Sequence, residues 1–142
     1  MTTAREIMTP DAQCARSEEM LADAARKMRD LGVGALPICG EDDKLQGIVT
    51  DRDIVVRCVA EGGDPASTPV SELAEGKPVT IGADDPIDQA LRTMIENGVR
   101  RLPVIDGGRL VGMVSQADVA RETTPEQAGQ LVAALSMASD NN

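Results

Sequence analysis

The chain repeats itself. Slid by 66 residues, ARKMRDLGVGALPIC (25–39) lies over LRTMIENGVRRLPVI (91–105), so that Arg26, Met28, Gly32, Val33, Leu36 and Pro37 meet Arg92, Met94, Gly98, Val99, Leu102 and Pro103. Omitting Asp43 changes the offset to 65. LQGIVTDRDIV (45–55) then lies over LVGMVSQADVA (110–120), with Leu45, Gly47, Val49 and Asp53 on Leu110, Gly112, Val114 and Asp118. Upstream, Glu6 and Ala24 meet Glu72 and Ala90. Two copies of about 55–60 residues account for most of the 142. A lone copy of that size encloses a small core, whereas two copies packed sheet to sheet enclose more, which is a physical reason for the pair. The segment EGGDPASTP (61–69), rich in Gly, Pro and Ser, reads as the linker.

Each copy presents the same order of elements. Leu21, Ala24, Ala25, Met28 and Leu31 recur at helical spacing, with Ser17 as the expected N-cap and Gly32 as the stop. In the second copy the stripe is Ile87, Ala90, Leu91 and Met94, with Asp85 and Pro86 as N-cap and first helical residue and Gly98 past the end. Two short apolar runs follow in each copy, VGALPIC then LQGIVT, and VRRLPVI then RLVGMV; Asp106-Gly107-Gly108 is the clearer hairpin signal. A further helix starts at Asp51 and at Gln116. TPEQAGQLVAALSMA (124–138) is a third helix, with Thr124 and Gln127 as a capping box, Pro125 at the first position, and an apolar face of Ala128, Leu131, Val132 and Leu135. That face packs on its own chain or on a partner subunit, and the dimer contact is the expectation. SDNN (139–142) is expected to be a disordered tail.

Composition removes several functions. The chain has no His, so Ser-His-Asp and Cys-His catalysis and mixed His/Cys zinc sites are closed to it. It has no Phe, Tyr or Trp, hence no stacking platform for single-stranded nucleic acid. With 14 Lys and Arg against 24 Asp and Glu, the net charge of −10 opposes a phosphate-tracking surface. No run of 18 apolar residues is present, and MTTAREIMTPDAQ lacks the apolar core of a secretory signal, so no membrane role and a cytoplasmic location are expected. An odd count of three cysteines suits free thiols better than a disulfide framework.

Two motifs each occur twice in register: a Gly-Val-x-x-Leu-Pro-[Ile/Val] strand and a Gly-[Ile/Met]-Val-[Thr/Ser]-x-x-Asp strand-to-helix turn. On these motifs, from about residue 5 to 122, the chain resembles the CBS domain, and the tandem resembles a stand-alone Bateman module. The resemblance implies an α/β (α+β) fold of two CBS domains, each a small mixed sheet flanked by short helices, packed as a pseudo-twofold pair. The corresponding divisions are 1–62, a linker at 63–69, 70–123, and a C-terminal helix and tail at 124–142. It further implies a non-enzymatic regulatory homodimer that takes an adenosine-containing ligand (AMP, ADP, ATP, NAD(H) or S-adenosylmethionine) in the inter-domain cleft, with no required cofactor. With no effector domain attached, the signal passes to a separate, unknown effector protein or to the oligomer itself.

By the same resemblance, Asp53 and Asp118 accept hydrogen bonds from ribose hydroxyls, and Thr50 and Ser115 lie near the phosphate. The spacing alone has another explanation: [S/T]-x-x-[D/E] is also a helix-capping pattern. On that alternative the protein is a ligand-free structural or stress-response interaction protein. Arg100 and Arg101 are candidates for the phosphates, since a guanidinium forks onto phosphate oxygens. Gly34 and Ala35 occupy the matching positions in the first copy, so the two sites are not equivalent. Arg52 is a further phosphate candidate or simply exposed. Without aromatic rings, adenine is to be held by aliphatic side chains and backbone, among Pro37, Ile38, Thr80, Pro103 and Val104, most of which are equally ordinary core positions. In this fold Cys14 enters the first short strand and Cys39 ends the next, so they either form a disulfide or remain two reduced thiols.

Overall fold

The apolar runs of each repeat become a small sheet and the stripes become helices beside it. The computed structural model describes residues 1–76 and 78–138. In chain order its elements are α1 (Ala4–Ile7), β1 (Thr9–Pro10), β2 (Ala15–Arg16), α2 (Leu21–Leu31), β3 (Ala35–Cys39), β4 (Leu45–Thr50), α3 (Asp51–Asp53) running on as a π-helical stretch Ile54–Val59, a 3-10 turn Val70–Leu73, β5 (Ile81–Gly82), α4 (Ile87–Asn97), β6 (Arg101–Asp106), β7 (Arg109–Ser115), α5 (Gln116–Arg121) and α6 (Pro125–Ser136). The result is the mixed α/β fold that the repeat predicts.

Two compact units form, and their boundaries differ from those of the repeats. One unit is residues 13–78, with sheet order β2-β3-β4; the other joins residues 1–12 to residues 79–138, with sheet order β1-β7-β6-β5. In each, a two-residue strand runs parallel to the next strand, which forms an antiparallel hairpin with the third. Register shifts fall at Ile38/Cys39 and Val104/Ile105, 66 residues apart. The second hairpin turns through Gly107 and Gly108, both at positive φ, as a two-residue turn requires. The first has one residue more. Asp43, the residue that shifts the repeat offset, takes up the insertion at φ 61 in the loop, so both sheets keep their register.

The exchange of leading segments explains the boundary shift. Ala4 N donates to Asp85 O and Ile87 N to Thr2 O, which seats the first residues of the chain on the start of α4. Sixty-six residues later, Leu21 N donates to Thr68 O and Val70 N to Glu19 O, so residues 68–70 do the same for α2. The N-cap positions are accordingly Met20 and Pro86, without side-chain bonds, not Ser17 and Asp85. Backbone carbonyls from a distant segment already satisfy those amides, and Asp85 Oδ2 instead accepts from Gly82 N (2.9 Å). The segment 63–69 is therefore docked structure, since Pro65 O also accepts from Ala22 N (3.0 Å).

Both helices stop where a glycine takes up left-handed backbone, Gly32 at φ 67 and Gly98 at φ 64. The core of the 13–78 unit is built from Leu21, Met28, Leu36, Ile38, Val49 and Val70; that of the other from Ala4, Met94, Leu102, Val104, Val114 and Leu131. The expected dimer contact through α6 is not where its apolar face goes. Leu131 and Leu135 pack on α4 and α5 of their own chain, because those helices offer the apolar surface that α6 lacks alone. The SDNN tail lies outside the described residues.

Candidate functional site

Each repeat leaves its last strand on a hydroxyl residue and places an aspartate three residues into the following helix. At the end of β4, Asp53 N donates to Thr50 Oγ1 (3.0 Å) and Thr50 N donates to Asp53 Oδ2 (3.0 Å). At the end of β7, Asp118 N donates to Ser115 Oγ (3.2 Å) and Ser115 N to Asp118 Oδ2 (2.8 Å). Both are complete capping boxes. Each uses one carboxylate oxygen and leaves Oδ1 outside the cap. The surroundings differ. Thr50 and Asp53 are 4% and 5% exposed, whereas Ser115 and Asp118 are half-buried. Arg121 Nη2 also donates to Asp118 Oδ1 (2.5 Å), where the first repeat has Val56. The i,i+3 spacing of Asp118 and Arg121 is a sequence signal for that pair.

The sheet register sorts the basic candidates. Arg101 pairs directly with Ser115 across the β6–β7 ladder, and Ala35 takes its place across from Thr50. Cross-strand partners share a face, so an arginine shares the face of the hydroxyl residue in one unit and an alanine does in the other. Arg100, one residue earlier, turns to α6, and its Nη2 donates to Leu135 O (2.9 Å) near the end of that helix. Arg52 is exposed in α3. Thr80 is half-buried just before β5, whose Ile81 pairs with Val104. Pro37, Ile38, Pro103 and Val104 are fully buried strand residues. One unit thus collects Thr80, Arg101, Ser115 and Asp118, and the other Thr50, Arg52 and Asp53.

Cys14 and Cys39 form a disulfide with their Cα atoms 5.6 Å apart, while Cys58 is buried and free. The parallel β2–β3 ladder sets up the bridge by pairing Ala15 with Ile38 and Arg16 with Cys39. A polar cluster surrounds this end of the sheet. Arg16 Nη1 donates to Gly40 O (3.0 Å) and Asp43 Oδ1 (2.6 Å), and the Asp43 bond holds the guanidinium pKa above its ordinary value. Glu19 Oε1 accepts from Arg16 N (2.8 Å) and Lys27 Nζ (2.7 Å). Among the described residues, no group of three His, Cys, Asp or Glu is placed to hold a metal ion, and no helix is long and apolar enough to cross a membrane.

These two small sheets and duplicated strand-to-helix boxes are those of a known family of regulatory domains. The CBS domain model matches residues 4–59 and 70–124, and the chain belongs to the CBS-domain family with two copies of the domain. Domains of this family are regulatory rather than catalytic. The chain is 45% identical over 135 residues to hypoxic response protein 1 of Mycobacterium tuberculosis, across 95% of this chain and 94% of that protein. The crystal structure of hypoxic response protein I with two coordinated zinc ions matches with a TM-score of 0.79 at 46% identity, over 87% of this chain and 100% of that one. CBSX2 in complex with AMP shares the fold, with a TM-score of 0.73 at 23% identity, over 86% of this chain and 96% of that one.

Proposed function

We propose that this protein is a non-enzymatic sensor that binds an adenosine-containing ligand and acts as a cytoplasmic homodimer on a separate effector protein. The observation that carries the reading is the box formed twice, each with an aspartate Oδ1 outside the cap. That oxygen is suited to ribose hydroxyls, because charge-assisted bonds to a carboxylate are short and selective. Arg101, across from Ser115, supplies phosphate charge at the position that Ala35 takes in the first repeat. AMP held by CBSX2 on the same fold supports the ligand class. Binding shifts the protein only to the extent that one of its states holds the ligand better. No cofactor is required, and neither nucleic acid nor membrane takes part.

A second reading has its own support: the hydroxyl, the two amides and one carboxylate oxygen of each box pair with one another without a ligand, as in a purely structural or stress-response interaction protein. One experiment separates the two. The chain has no Trp or Tyr, so an absorbance peak near 260 nm in the purified protein that leaves with the filtrate on denaturation is bound nucleotide. AMP, ATP, NADH and S-adenosylmethionine are then added while unfolding is followed by circular dichroism. The sensor reading expects one of them to raise the melting temperature by mass action, and Asp53→Ala or Asp118→Ala to abolish the shift. No peak and no shift across the panel leaves the boxes as helix caps.

A further inference from the structure

The two boxes differ in what meets the carboxylate oxygen left outside the cap. In the second repeat, Asp118 Oδ2 accepts from Ser115 N (2.8 Å) and Oδ1 from Arg121 Nη2 (2.5 Å). In the first repeat Val56 stands at the position of Arg121, so Asp53 has no donor three residues on. The members of the Asp118–Arg121 pair are unequal. The aspartate side chain is 11% exposed and held by the cap, whereas the arginine side chain is 67% exposed. The carboxylate is thus the fixed member and the guanidinium the movable one, since an ion pair this open to water holds a long side chain weakly. Charge near the two boxes differs as well. Residues 100, 101 and 115–121 hold three arginines and one aspartate, whereas the matching residues 34, 35 and 50–56 hold one arginine and two aspartates. The second box therefore lies in the more cationic setting and carries its own counter-ion on the acceptor that a ribose would use.

We infer that Arg121 decides which adenosyl ligands the second-repeat box accepts: its guanidinium covers the ribose acceptor, and a ligand phosphate draws it away. The inference rests on the adenosine-ligand reading and goes beyond it by assigning a selecting residue and a ligand class. A nucleoside that takes Asp118 Oδ1 breaks the ion pair and gives the guanidinium nothing in return. A nucleotide brings a phosphate, whose oxygens accept the guanidinium fork in place of the carboxylate. That phosphate sits one methylene beyond the ribose ring, within the sweep of an arginine rooted three residues from Asp118. The pair is therefore exchanged for AMP or ATP and simply lost for adenosine. S-adenosylmethionine fares no better, because its sulfonium adds a cation beside Arg121. A ligand displaces the arginine only so far as the displaced state holds that ligand better. Val56 sets no such condition on the Asp53 box, so the two boxes of one chain differ in the ligands they admit.

The test is calorimetric titration of the full chain with AMP and with adenosine, as wild type and Arg121→Val, each with and without Asp53→Asn. Asp53→Asn keeps the shape of the first cap and removes its charge, which leaves the second-repeat box as the intact one. In that background AMP is expected to bind more tightly than adenosine, and Arg121→Val to cut the preference about tenfold. Adenosine should bind about two- to fivefold tighter once the competing ion pair is gone, and AMP should bind more weakly. A preference that Arg121→Val leaves unchanged overturns the inference and leaves the adenosine-ligand reading standing, as does binding that vanishes in both Asp53→Asn chains. Binding of neither ligand by any of the four chains overturns that reading and the inference with it. Should Asp53→Asn fail to fold, the wild type and Arg121→Val decide it by the same ratio. Arg121 is exposed, so its replacement leaves the fold intact.

Discussion

Thr50 and Ser115 accept the same hydrogen bond in different surroundings, and stability measurements can separate them. Removing a capping hydroxyl costs about 0.5–2 kcal/mol. Water reaches the amide stranded at Ser115 more readily than the one at Thr50, which is buried. Thr50→Ala should therefore lie near the top of that range and Ser115→Ala near the bottom in urea unfolding. Glu19 carries a pH dependence. Burial pushes its carboxyl up, but the bonds from Lys27 and the Arg16 amide outweigh that and hold it below the ordinary carboxylate value. Its folded pKa is thus lower than its unfolded one. The associated stability is present above the unfolded pKa and is lost as pH falls through the folded one. Melting temperatures of wild type and Glu19→Gln should converge on acidification from about pH 5 to about pH 3. At this scale the sequence was legible but double in meaning. The three-residue spacing of Thr50 and Asp53 suits a cap and a ribose site alike, because both need the carboxylate folded back on the strand end. Arg100 and Arg101 were indistinguishable until the register set one across from Ser115 and turned the other to α6.

Sheets, hairpins and glycine stops could be read from local chemistry, because each depends on residues within a few positions. The N-caps of α2 and α4 could not, since their acceptors are Thr68 O and Thr2 O, far away in sequence. Nor could the π winding of Ile54–Val59, which no residue in that run announces. The β2–β3 disulfide closes a separation of 25 residues, worth about 3 kcal/mol in the chain-entropy model. Cys14→Ser/Cys39→Ser should lose about that much, and added reductant should destabilise the wild type but not the variant. Three thiols titrated in the denatured, unreduced protein would instead reject the bridge. The glycines of β4 and β7 make a second contrast. A Cβ on Gly112 would lie 2.7 Å from Thr9 O and 2.5 Å from Met8 Sδ, whereas on Gly47 it would meet Ala74 Cβ at 3.4 Å, an ordinary contact. Gly112→Ala should thus unseat β1 from β7 at a cost of about 1–3 kcal/mol, and Gly47→Ala should change the urea midpoint little.

At the scale of the molecule, the sequence repeat and the folded unit are different objects. Cutting at the repeat boundary yields 1–62, which keeps α2 and the β2-β3-β4 sheet but loses what closes them. Val70 and Leu73, 0% and 5% exposed, belong to that core, and Pro65 O and Thr68 O accept from the first amides of α2. Losing two buried aliphatic side chains costs several kcal/mol, at roughly 2–5 for a leucine, which is comparable to the whole stability of a domain this small. The first twelve residues that such a fragment retains belong to the other unit. The fragment 13–78 holds every strand, both helices, the 3-10 turn and the disulfide of one unit in a single continuous stretch. Oxidised 13–78 should therefore melt in a cooperative transition by circular dichroism, while 1–62 should show no folded baseline. Equal melting of the two fragments would mean that the segment after residue 62 adds nothing to the fold, against the burial of Val70 and Leu73 that makes it part of this core.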